Sequence, residues 1–443
     1  WFLNDMYPEF QAKGLGINMK IVVDSLNWIS QLGPMVMMPI IILILGLIFR
    51  VKINVLVKSA LTIGVGFAGV NIVINWFVSQ VGPAVQLMVK HWGIQTSIMD
   101  VGWPARAAAT WAFPLAAVMV FIVLGINILL LVIKKTNTVM VDFWSYNHYI
   151  FTAALVYYAT DQNVVIALIA GAIDAIISFK LADWTTPLVE NYFELEGVNF
   201  PTANSVGWAP VAWGLNKLWS VIPGIKSIDA RPEKIQKRFG FVGEPLFMGF
   251  IIGLIIGILA GENIGQILII GMSTAATMVL TPKMMQILME GLLPFANSIK
   301  ELLNKKFPSS NFTMGVDAAL TVANSSAIAT GIIMVPITLV LAAILPGNKL
   351  LPISDIAYQA MWLSAWPVAF SKGNIFRGVL STTIITAAVL LIATNLADIH
   401  TQLALSGGFK LPSGMTSVST EDAGTHVIGF IITKISEFLA HLF

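Results

Sequence analysis

No cysteine occurs in the 443 residues, which excludes disulfides, thiolate metal sites and covalent cysteine chemistry. Histidine is almost as scarce: five residues lie scattered along the chain, so no histidine-built metal centre is expected, and no cofactor either. Charge is also sparse, at 11% of residues with a net charge of +2, where a soluble domain carries about a quarter. There is no Walker loop, GxSxG elbow, HExxH pair or nucleic-acid signature, so nucleic acid is not an expected partner. What fills the chain instead is apolar: 57% of residues are hydrophobic and the mean hydropathy is +0.82. With 13 Trp for interfacial belts and 35 Gly for close helix contacts, this is the composition of a polytopic protein whose first partner is a lipid bilayer.

Apolar runs of roughly 17 to 25 residues, the length that crosses a hydrocarbon core, occur near 30–49, 59–79, 111–133, 148–161, 163–180, 244–261, 264–282, 325–346, 351–370, 375–397 and 425–443. The expected fold is an all-α polytopic membrane protein with about eleven transmembrane helices. With the N-terminus outside, 18 of the 25 Lys and Arg fall in cytoplasmic turns, while Lys13, Lys20, Lys90, Arg106, Lys349 and Lys410 fall outside. The basic bias therefore selects N-terminus out and C-terminus in. Residues 1–18 are amphipathic and read as a tail or an interfacial segment, and no signal peptide is expected. The one strongly charged loop, about 217–243, is expected in the cytoplasm, as a positive-inside anchor or as a docking surface for a soluble protein.

Polar, Gly- and Pro-punctuated stretches interrupt this pattern at 98–111, 181–213 and 311–330. Irregular backbone survives at membrane depth only where it is buried in protein or lines a watery site, so re-entrant hairpins are expected at about 90–111 and 307–330. Asp317, in NFTMGVDAALTVANSSAIAT, is a carboxylate beside long apolar runs; it is either an interfacial helix cap or a group facing a site. Asp100, Gly102, Trp103 and Pro104 make DVGWP, in which an aromatic face for C–H groups stands beside an acid for hydroxyls. Glu244 stands where the basic loop enters a span, as a cap neighbour or a ligand. His148 lies among aromatics in WSYNHY, and Thr202 and Asn204 offer neutral hydrogen bonds. The triplet Gly64, Gly66 and Gly69 in GVGFAG permits close helix packing against a partner left open.

DVGWP, FELEG, RFGFVGEP, GVDAAL, SKGNIFR and IHTQLA together resemble the galactitol-type enzyme IIC of the bacterial phosphoenolpyruvate-dependent sugar phosphotransferase system, within the ascorbate–galactitol superfamily. The likeness runs from about Met19 to the last span, implying one enzyme IIC membrane domain over 19–443 in the bacterial inner membrane. It further implies a homodimer whose protomers carry a scaffold part and a transport part, moving like an elevator. The substrate would be a hexitol, galactitol foremost, released inside as a phosphate ester. Carried over by motif, the substrate site would hold Asp100, Gly102, Trp103, His148, Thr152, Thr202, Asn204, Glu244 and Asp317. Asp317 or Glu244 would orient the accepting hydroxyl. The phosphoryl donor would be a phosphocysteine on enzyme IIB, itself supplied by enzyme IIA; lacking cysteine, this chain is not expected to carry that domain or to be phosphorylated itself. One departure is that Thr202 follows Pro201 where the family pattern has a histidine, so a different hydroxyl would be read there. Composition and topology alone fit a second class equally well, an ion-coupled transporter releasing an unmodified polyol or a sugar acid such as ascorbate.

Overall fold

The computed structural model describes residues 34–48, 50–93, 97–142, 144–239, 244–306, 312–411 and 416–440. Residues 1–18, the tip of the second expected hairpin at 307–311 and the end of the basic loop at 240–243 lie outside the described residues. A helix coincides with each of the eleven apolar segments, but the helices differ widely in length. Four are long and apolar enough to cross a bilayer on their own: Val164–Tyr192, Ile264–Leu292 within a longer helix, Ser325–Ile344 and Ile375–Asn395. A fifth crossing exists if Gly102–Trp111 and Ala116–Val132, which meet at 87°, form one broken span. The chain is therefore a multi-pass membrane protein with at least four spans.

Local chemistry sets the helix starts. Asn163, Asn324 and Asn374 each take the N-cap position, their side-chain oxygens accepting from Ile166 N at 3.1 Å, Ser326 N at 3.0 Å and Arg377 N at 3.2 Å. Pro39, Pro83, Pro187, Pro336 and Pro367 all lie inside helices, which neighbouring helices make tolerable in an apolar fold.

Four helices pack chiefly on one another: α1 (Pro34–Ile48), α2 (Ile53–Trp92), α10 (Pro245–Ala260) and α11 (Ile264–Lys306), numbered by their place in the chain. Gly66 of α2 lies against the backbone of Leu288 in α11, where an added Cβ would stand 2.6 Å from the Leu288 Cα. Gly69 meets Met284 of α11 and Gly64 meets Pro39 of α1 in the same way. The glycine triplet is thus spent on contacts within the chain.

The other helices form a second group, and here the fold departs from the all-α expectation. Five strands of two or three residues pair in parallel: β1 (Met99–Asp100) with β5 (Val418–Ser419), and β4 (Thr313–Gly315) between β2 (Thr138–Met140) and β3 (Val198–Asn199). Three of them, β1, β3 and β4, lie in the polar stretches, where backbone amides that are not helical must still find partners away from water. Segments more than 300 residues apart, such as 99–100 and 418–419, become neighbours this way.

Candidate functional site

Each short strand leads into the start of a short helix or turn. β1 feeds α3 (Gly102–Trp111), β3 feeds α7 (Ala203–Val206), β4 feeds the 3₁₀ turn Ala318–Ala323, and β5 feeds α16 (Glu421–Gly424). These starts are joined through polar side chains. Asp422 is the hub: its Oδ2 accepts from Arg106 Nε of α3 at 2.6 Å, and its Oδ1 accepts from Asn204 Nδ2 of α7 at 3.2 Å and Gln359 Nε2 of α13 (Ile356–Phe370) at 3.1 Å. Arg106 also donates to Asn147 Oδ1 and lies with its guanidinium 5.0 Å from the centre of the Phe151 ring. Arg106 is only 1% exposed, so the sequence-based placing of this cation in an external loop is corrected: it is buried because an acid is there to meet it.

A histidine relay extends from the hub. His426 Nδ1 lies 2.9 Å from the Asp422 carbonyl, which can only accept, so Nδ1 carries the proton. In a neutral ring Nε2 of His426 then accepts from His148 Nδ1, at 2.9 Å. The remaining nitrogen of His148, Nε2, is left as a bare acceptor, buried and without a partner among the described residues.

The other expected site residues divide into committed and free groups. Asp100 accepts from Gly102 N at 3.1 Å and Ser354 N at 2.7 Å, so its carboxylate braces its own turn. Gly102 adopts φ +73°, a conformation that favours glycine, with Asp355 beside it. Trp103 N donates to Asp355, which also accepts from Thr420 Oγ1 at 3.2 Å; the Trp103 ring meets Trp144 edge-on at 5.8 Å. Thr152 donates to Asp174 at 2.5 Å. Thr202 Oγ1 accepts from Ala318 N at 2.9 Å and lies 3.1 Å from Ser145 Oγ, tying the 201–206 turn to the second polar stretch. Asp317 Oδ1 caps the 3₁₀ turn through Ala319 N at 2.7 Å, and beside it a cavity of about 20 Å³, room for one water, opens toward Ile63, Phe67, Leu288 and Leu292 of the four-helix group. Asn204 keeps its Oδ1 free. Glu244 precedes α10 without a side-chain capping bond and shares no hydrogen bond with the hub.

Sequence reasoning missed Arg106, Asn147, Asp355, Gln359, Glu421, Asp422 and His426. A signal was present: STEDAGTH sets two acids and a histidine directly before an apolar run, and Arg106 in an alanine-rich stretch needs an acid somewhere. Glu421 is the most telling. It is 1% exposed, both its carboxylate oxygens lack a hydrogen-bond partner, and Asp100, Asp355 and Asp422 lie within electrostatic reach.

Residues 28–414 match the family described as EIIC-GAT, PTS system sugar-specific permease component. The chain belongs to this family. A galactitol-specific EIIC component of the phosphotransferase system from Escherichia coli K12 is 36% identical over 412 residues, covering 93% of this chain and 90% of the relative. The same component from E. coli O157:H7 matches equally, and a putative permease IIC component from E. coli K12 is 32% identical over 409 residues, covering 92% and 93%. As an EIIC permease component, the protein works with the IIB and IIA components of that system in a bacterial inner membrane.

Proposed function

We propose that this permease component takes up a hexitol of the galactitol type at the Asp422 hub and presents it inside for phosphorylation by enzyme IIB. The observation that carries the reading is the set of buried polar atoms without partners among the described residues: both oxygens of Glu421, Nε2 of His148, Oδ1 of Asn204 and Oε1 of Gln359 at the hub, with Nε1 of Trp362 on the helix that carries Gln359. Leaving a buried donor or acceptor unmade costs about 1 to 3 kcal/mol, and a polyhydroxy solute repairs both kinds, since each hydroxyl donates once and accepts as well. Glu421, His148, Asn204 and Gln359 take hydroxyl protons, while the Trp362 indole donates. Tyr358, whose ring lies 5.9 Å from that of Trp362 on the same helix, adds an aromatic face for the C–H side of the sugar chain.

In the transfer step the P–S bond of the phosphocysteine breaks and a P–O bond to the hexitol hydroxyl forms. The thiolate leaves, and the hydroxyl proton passes to a carboxylate. Asp317 or Glu244 serves that acceptor role in this reading, and alignment of the hydroxyl with the phosphorus contributes the larger part of the rate. The hub residues are buried; in this reading, loading and release come from the second helix group shifting against the α1–α2–α10–α11 scaffold, as an elevator, in a homodimer oriented with the N-terminus outside. All eleven helix-forming apolar segments serve as spans, and about 90–111 and 307–330 as re-entrant hairpins.

The test uses right-side-out vesicles that carry the full chain in the membrane and are loaded with the phosphorelay proteins. Galactitol phosphate accumulates, and only when phosphorylated IIB is supplied. Accumulation of free galactitol driven by a proton or sodium gradient overturns the proposal.

A further inference from the structure

A second polar site lies apart from the hub, where two turns remote in sequence face each other. Residues 226–231 and 371–377 enclose a pocket of about 250 Å³ whose charged lining is Lys226, Arg231, Lys372 and Arg377 against the single acid Asp229. The two walls are bonded together: Ile375 N donates to the Ala230 carbonyl at 3.1 Å and Asn374 Nδ2 to the Ile228 carbonyl at 2.7 Å. Asp229 is spent on a two-pronged pair with Arg231, at 2.7 and 2.5 Å, and that guanidinium holds its carboxyl below the ordinary range. Arg377 donates to Ser220 Oγ at 3.3 Å and the Lys226 carbonyl at 3.1 Å. The ammonium groups of Lys226 and Lys372 join no ion pair among the described residues. The helix Ile375–Asn395 also begins here, adding the positive end of its dipole. A fixed cleft of surplus cations at a helix start has the chemistry of an anion-binding site.

We propose that this pocket seats an acidic surface of the soluble IIB component beside its phosphocysteine, leaving the phosphoryl group free to reach the hexitol. The inference rests on the reading under Proposed function, which places this face in the cytoplasm and brings a phosphorylated partner to it. The pocket also abuts the transport machinery. Gly373, at φ +82°, lies so near Ser326 and Tyr192 that an added Cβ would stand 3.2 Å from Ser326 Oγ and 3.3 Å from Tyr192 Oη. Tyr192 in turn donates to Asn324, the cap of the helix that follows the Asp317 turn. A partner docked in the pocket therefore leans on the second polar stretch of the site. An anionic lipid headgroup carries similar charge, but cations held on two turns that are bonded together suit carboxylates fixed on a protein surface better than a fluid lipid.

The test is carried out on the full chain in phosphatidylcholine nanodiscs, measuring galactitol phosphorylation against the concentration of phosphorylated IIB. In the double variant Lys226→Glu/Lys372→Asn the KM for phosphorylated IIB rises about tenfold and its salt dependence flattens, as for loss of steering charges. Maximal rate and galactitol-induced thermal stabilisation stay within about twofold of the parent. Asn suits the left-handed backbone at Lys372, φ +55°. Lys135→Glu, a charge reversal outside the pocket, leaves the KM unchanged. The single variants Lys226→Ala and Lys372→Asn are read alongside and raise the KM about threefold each, so a double variant that fails to fold does not block the result. A KM within twofold of the parent overturns the proposal, as does a defect confined to phosphatidylglycerol nanodiscs, which assigns the cleft to lipid. If the parent protein transfers no phosphoryl group at all, it is the reading of the function that fails.

Discussion

The Arg106–Asp422 pair permits the sharpest test of the hub. Both side chains are buried, at 1% and 5% exposure, and the Nε–Oδ2 distance is 2.6 Å. Asp422→Asn keeps the shape and an oxygen for Asn204 Nδ2 and Gln359 Nε2 but strands the Arg106 cation among neutral groups. Removing one partner of a buried pair costs about 3 to 5 kcal/mol, chiefly because the remaining charge stays desolvated. Arg106→Met strands the carboxylate instead, at a similar cost. In Arg106→Met/Asp422→Asn neither charge remains, so the double variant is more stable than either single one, with a coupling energy of about 2 to 3 kcal/mol. Equilibrium unfolding in mixed micelles, followed by tryptophan fluorescence, measures all four corners of the cycle. Galactitol binding is lost in all three variants, because the hub no longer holds α3, α7 and α16 in register. Single variants within about 1 kcal/mol of the parent, or a double variant that merely adds the two losses, would refute the claim that mutual neutralisation holds these stretches together.

Two further outcomes follow from other residues. Glu421→Gln weakens galactitol binding about 3- to 10-fold, the value of one ordinary hydrogen bond, while the melting temperature without sugar does not fall, because a buried carboxyl group without a partner is itself a cost; a thermal-shift titration with galactitol reads both. Gly66→Ala drives its Cβ to within 2.6 Å of Leu288 backbone and side-chain atoms and loses about 1 to 3 kcal/mol by overpacking, whereas Gly125→Ala, with no heavy atom within 4 Å, is neutral or slightly stabilising in the same unfolding assay.

The residues show unevenly how much of this was legible beforehand. The apolar segments were, because a helix is the cheapest way for a chain to satisfy its own amides in hydrocarbon. The capping reading of Asp317 was legible too, since a side-chain bond to an amide two residues on is local. His148 and Asn204 were picked out by type, although neither residue alone shows which of its atoms is left free. Arg106 was misread because its acid lies 316 residues away. Glu421 and Asp422 drew no notice because two adjacent acids before a span look like an interfacial cap, and only the return of β5 to β1 buries them.

By itself, then, the sequence determined what each stretch prefers to be surrounded by: lipid for the apolar runs, water for the basic turns, and other protein for the interrupted polar segments. Those are transfer preferences, properties of a residue and its near neighbours. The tertiary structure alone decided which polar segments meet, that GVGFAG packs inward on Met284 and Leu288, and that a cation, three acids and two histidines share one buried centre. Partner choice among distant groups depends on the register of long-range contacts and on burial that exists only once all of them have formed.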